Sequence, residues 1–90
     1  MRLNNEQINI IKKIVTEKIG DVEIYIFGSR LNDNVRGGDV DIFINKRLNF
    51  NQKIELKILL EDMLFLPVDI VDSKNKNRLI EKEALKGVKI

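Results

Sequence analysis

The chain predicts an α/β (α+β) domain with a small mixed β-sheet flanked by helices. Three observations carry that reading. Amphipathic helical stripes alternate with short β-branched strands in the order α-β-(α)-β-α-β-α. The last strand is short and follows directly on a helix, as in a sheet partly covered by helices. Finally, 90 residues with 43% hydrophobic and 33% charged side chains fit one ordinary globular domain, expected to span 1–90. No internal repeat, low-complexity tract or long linker interrupts it.

The first helix is expected over 5–19, where Ile8, Ile11, Val15 and Ile19 form one apolar stripe. Asn4 with Gln7 has the spacing of a capping box, and Gly20 supplies a stop. Val22-Glu23-Ile24-Tyr25-Ile26-Phe27 alternates and reads as a strand that ends at Gly28. Residues 29–34 suit a short helix or turn, and Val35-Arg36-Gly37-Gly38 a loop. A second strand follows over roughly 39–45. Asn49 with Gln52 repeats the capping pattern ahead of a helix striped by Leu56, Leu59, Leu60, Met63 and Leu64. Pro67 breaks that helix, Val68-Asp69-Ile70-Val71 forms a strand, and 75–86 closes the chain as a helix with Leu79, Ile80, Ala84 and Leu85.

Composition removes several kinds of chemistry. The chain has no cysteine and no histidine, so disulfides, thiolate metal sites and imidazole catalysis are excluded. A bound metal would need oxygen ligands, which favours Mg²⁺ or Mn²⁺. No apolar run approaches the length of a membrane span, the N-terminus lacks a signal-peptide layout, and a cytoplasmic setting fits. Net charge is only +2. Lys46-Arg47, Lys53, Lys57 and Lys74-Lys76-Arg78 lie late in the chain and either steer a polyanion such as a nucleotide or cover solvated helix faces.

The chemistry-bearing pattern is Phe27-Gly28-Ser29-Arg30, then, with nine residues between Ser29 and Asp41's neighbour Asp39, the strand Asp39-Val40-Asp41-Ile42. Alternation along a strand puts Asp39 and Asp41 on one face and Val40, Ile42 and Ile44 on the other. Like charges side by side are unfavourable, so a cation between them is the expected resolution. A Gly-Ser corner after a strand exposes backbone N–H groups that can hold phosphate oxygens, and Arg30 adds positive charge. Asp69, from a third strand, can join the same face as metal ligand and proton acceptor. Taken singly, each piece has an ordinary use: Gly-Ser as a plain turn, Asp-x-Asp as a solvated strand edge, Asp72 as a helix cap or surface residue. Their conjunction is the specific signal.

That conjunction resembles the minimal nucleotidyltransferases (MNT domains) of the DNA polymerase β superfamily, whose signature is Gly-Ser, about ten residues, then Asp-x-Asp. The resemblance runs over nearly the whole chain, with Val68-Asp69-Ile70-Val71 in the place of the third-carboxylate strand and Leu79-Ile80-Glu81-Lys82-Glu83-Ala84 in that of the closing helix. It implies a nucleotidyltransferase fold, ATP as substrate with Mg²⁺, and transfer of a nucleoside monophosphate with release of pyrophosphate. By the same resemblance Gly28, Ser29 and Arg30 would bind the nucleotide, and Asp39, Asp41 and Asp69 would be the catalytic metal ligands. Gly38 stands where a serine often precedes the first aspartate, and Leu31-Asn32-Asp33 where Ala-Arg-Gly is usual.

Small MNT proteins are similar to antitoxins paired with HEPN-domain toxins. The implied activity is transfer of AMP to a tyrosine of the HEPN partner, as a type VII-like antitoxin. The changed loop after Arg30 motivates an alternative, a non-catalytic antitoxin that binds its partner. A third reading is transfer to a small molecule or RNA, less favoured because no second domain for the acceptor is expected. Nucleic acid is not expected as a direct ligand, and self-association through a sheet edge stays open.

Overall fold

The computed structural model describes residues 3–28, 39–74 and 78–90. Its elements run α1 (Asn5–Lys18), β1 (Ile24–Phe27), β2 (Val40–Ile44), α2 (Phe50–Leu64), β3 (Val68–Asp72), α3 (Leu79–Leu85) and β4 (Val88–Lys89). The four strands form one sheet in the order β3-β2-β1-β4. β1 pairs antiparallel with β2 and β4, whereas β2 pairs parallel with β3. The expected mixed α/β sheet is therefore present. β4 is an addition; two residues are too few to show alternation in a sequence.

Both long helices begin where the sequence caps them. Asn4 Oδ1 accepts from Gln7 N at 2.8 Å while Gln7 Oε1 accepts from Asn4 N at 2.9 Å, and Asn49 and Gln52 repeat the exchange. α1 buries Ile11 and Val15, and α2 buries Leu56, Leu60 and Leu64. Together they cover the sheet face made by Ile24, Ile26, Val40, Ile42, Ile44 and Val68. Met63, placed in the apolar stripe by its spacing, instead stays exposed, because α2 turns its Leu56-Leu60-Leu64 line inward.

α3 lies on the opposite face, against Phe27 and Phe43, with Tyr25 and Val71 alongside. Phe43 is fully buried, so this face carries a second small core as well as carboxylates. Tyr25 and Phe43 meet at 6.0 Å between ring centroids. The closing helix is shorter than expected and packs differently. It buries Glu81 and Ala84 while Leu79 and Ile80 face out, with Arg78 Nε 2.5 Å from Glu81 Oε2. Gly87 follows it where a Cβ would run into the Ile26 carbonyl, so the return from α3 into β4 is possible only without a side chain.

β3 forms one edge of the sheet, and α2 laces part of it. Val68 N donates to Glu61 Oε2 at 2.9 Å, and the Val68 carbonyl accepts from Lys57. Further along, Arg78 donates to the Asp72 carbonyl at 2.8 Å. Backbone groups that would otherwise invite another strand are thus paired with side chains. Asp72 is buried rather than a cap or a surface residue. Its Oδ2 accepts from Leu48 N at 2.9 Å and its Oδ1 stands 3.4 Å from Lys53 Nζ, tying β3 to the entry of α2. Burial pushes this carboxyl up, but the Leu48 N–H and the Lys53 charge outweigh it and hold Asp72 below the usual carboxylate range.

Candidate functional site

β2 and β3 run parallel with Asp41 opposite Asp69. Odd-numbered side chains on these strands face α3, whereas Val40, Ile42 and Val68 face the α1–α2 core. The parallel register therefore gathers Asp39, Asp41 and Asp69 at the amino-terminal end of the pair. Asp39 and Asp69 are exposed and Asp41 is half-buried.

The electrostatics record that closeness. Hydrogen bonding towards the neighbouring Asp69 carboxyl, and then the Asp69 charge, push the Asp39 pKa above the ordinary 3.8. Burial first, then the charges of Asp69 and Asp39, push Asp41 up as well. The cluster thus resists carrying its full negative charge by itself, the state a bound cation would relieve.

Gly28 adds the second half of the corner. It follows Phe27, which pairs with Asp41 across β1 and β2, and has φ +77°. A Cβ at this position would overlap Asp41 Oδ2, with Asp41 Cγ at 3.1 Å. Glycine is thus required twice, by the backbone angle and by the carboxylate against it. Ser29 and Arg30, assigned to nucleotide on the sequence, lie outside the described residues, as do the turn and loop expected over 29–38.

Lys57 was one of several late basic residues and nothing in its sequence position singled it out. It reaches around the β3 edge so that its Nζ is 3.8 Å from Asp69 Oδ1 and 3.3 Å from Glu61 Oε2. The one available sequence signal is the Lys57–Glu61 spacing of four on a helix. Lys53 and Arg78, by contrast, are engaged with Asp72 and Glu81 and away from the carboxylate cluster.

The donor set fits a hard divalent cation, since it is all oxygen and comes from adjacent strands. Among the described residues, no group of three or more acidic side chains already stands in metal-enclosing geometry. A cavity of about 420 Å³ lies elsewhere, between α1 and the β1–β4 edge, lined by Lys12, Thr16, Glu23 and Lys89 among others. Glu23 is already bonded there to Asn45 and Lys89 at 2.8 Å, and the carboxylate cluster does not line it.

Residues 9–90 match the family described as polymerase beta, nucleotidyltransferase. The chain belongs to that nucleotidyltransferase family. It is also similar to a solved structure of the toxin–antitoxin MntA–HpeT, in a mutant form with two aspartates two positions apart changed to glutamate. The TM-score is 0.77 at 25% identity, over 97% of this chain and 71% of the other. Comparison with curated proteins gives no match. Among the described residues, no helix is long and apolar enough to cross a membrane.

Proposed function

We propose that this chain is a Mg²⁺-dependent nucleotidyltransferase of the antitoxin kind, transferring AMP from ATP to a tyrosine of a HEPN toxin partner. The single observation that carries the reading is the gathering of Asp39, Asp41 and Asp69 beside Gly28 by the β1–β2–β3 register. The family match supports the transferase class, and the likeness to a toxin–antitoxin structure supports the partner.

In this mechanism Asp39, Asp41 and Asp69 would hold the cation, while Gly28, with neighbouring Ser29 and Arg30, would take the triphosphate. Bound Mg²⁺ supplies charge neutralisation on the phosphate oxygens and lowers the cost of forming the acceptor oxyanion. Asp69 accepts the proton of the acceptor hydroxyl. The hydroxyl oxygen bonds to the α-phosphorus, the α–β phosphoryl oxygen bond breaks, and pyrophosphate leaves with the electron pair. Little else is asked of the protein, which accords with a chain that has no histidine or cysteine to offer.

The test is incubation with α-labelled ATP, Mg²⁺ and the toxin partner. The partner should become labelled, and Asp39→Asn or Asp41→Asn should lower the rate at least about 100-fold by removing a cation ligand. Labelling at the normal rate by both variants would contradict the catalytic assignment. A second reading, neutralisation by binding alone, is favoured by the arrangement of the carboxylates: among the described residues, no three acidic side chains stand in metal-enclosing geometry. Protection in cells that survives loss of all three aspartates would select it.

A further inference from the structure

We propose that Lys57 is a positioning residue of the carboxylate cluster, a built-in cation that holds Asp69 in place and that an incoming divalent ion must outcompete. This rests on the nucleotidyltransferase reading and names a residue that reading does not use. The Lys57 ammonium is fixed from three sides. The Val68 carbonyl and Glu61 Oε2 accept from it along the β3 edge, and Asp69 Oδ1 stands 3.8 Å away across the edge. Asp69 thereby stands between Lys57 from α2 and the carboxylates of β2, where Asp41 is its register partner. The Lys57 charge reaches Asp39 too, where it works against the upward shift.

Two roles are compatible with this placement, and they differ in sign. If Lys57 only laces β3 to α2, removing it loosens the edge and weakens whatever the cluster binds. If it competes for the cluster, removing it leaves the carboxylates more negative and tightens cation binding, while the rate falls because Asp69 loses its anchor. Glu61 separates the two roles. It shares the lacing, through the Val68 N–H, but carries the opposite charge.

The experiment titrates the full chain with Mn²⁺, following free Mn²⁺ by electron paramagnetic resonance. Wild type is compared with Lys57→Gln, Lys57→Met, Lys57→Arg and Glu61→Gln. The neutral Lys57 variants should bind Mn²⁺ about five- to tenfold more tightly, as expected for removing one charge some ångströms from a divalent ion in high dielectric. Lys57→Arg should stay near wild type, and Glu61→Gln should be no tighter. In the labelling assay the neutral variants should lose rate even at saturating metal. Mn²⁺ affinity that is unchanged or weaker in both neutral variants would overturn the role of Lys57 alone. Wild type that takes up no Mn²⁺, or takes it up equally as Asp41→Asn, would overturn the proposed function and this inference with it.

Discussion

On one face of the sheet, Ile24, Ile26, Val40, Ile42 and Val68 meet α1 and α2 in a closed hydrocarbon layer. On the other, Phe27, Phe43 and Val71 share the surface with α3, and Asp39, Asp41 and Asp69 take the remaining end. The same strands supply both, since successive side chains alternate between faces. The difference teaches a division of labour. The closed face holds the fold, and in doing so fixes the register that crowds three carboxylates where the fold would be better off without them. Crowding like charges costs stability, and a cation between them would relieve it.

The largest effect on the fold should come from opening the closed face. Ile42 is fully buried and neighbours Asp41 in sequence but points the other way. Ile42→Ala should cost about 2–5 kcal/mol in unfolding by denaturant, from lost burial and the cavity left. A cost under about 1 kcal/mol would show that this layer is not the main support.

Gly28→Ala strikes the junction of the two faces. The positive φ and the overlap with Asp41 Oδ2 should together cost about 1–3 kcal/mol. The proposed AMP transfer should fall as well, because relief requires moving Asp41. A variant with wild-type stability and rate would remove Gly28 from the site.

A gentler contrast is in pH dependence, because the two faces titrate in opposite directions. Asp39 and Asp41 have folded pKa values above the ordinary 3.8. What they contribute to stability is present below that value and lost as pH rises through their raised folded values. Asp72, on the closed face, is lowered, so its contribution is present above 3.8 and lost as pH falls through its folded value. At neutral pH, Asp72→Asn should therefore destabilise by about 1–3 kcal/mol through the weakened Leu48 and Lys53 contacts. Asp41→Asn should stabilise the metal-free chain by roughly 0.5–1 kcal/mol. Both differences should shrink in acid, that of Asp41 first. Denaturation midpoints across the acid range check the order, and the same sign for both variants would break the contrast.

Much of this was legible in the residues. The Asn4–Gln7 and Asn49–Gln52 spacings marked both helix starts, and the period-two pattern of 39–44 gave the faces of Asp39, Asp41, Val40 and Ile42. Local pattern suffices there because hydrogen bonds three residues apart and strand alternation are local physics. What depended on distant partners was not legible. Asp72 reads as surface until Leu48 and Lys53 are known to converge on it. Of the apolar set Leu79, Ile80, Ala84 and Leu85, α3 buries only Ala84, beside Glu81. Lys57 reads as one lysine among many until the β3 edge brings Asp69 to it, and β4 is too short to announce itself.

The most direct test of the carboxylate cluster is thermal unfolding of the full chain with and without Mg²⁺, in wild type and Asp41→Asn. A ligand that binds only the folded state stabilises it by mass action, about 2.7 kcal/mol at a hundredfold excess over Kd. The account predicts that saturating Mg²⁺ raises the wild-type Tm by several degrees and leaves Asp41→Asn unmoved. No rise in wild type, or an equal rise in both, would contradict it.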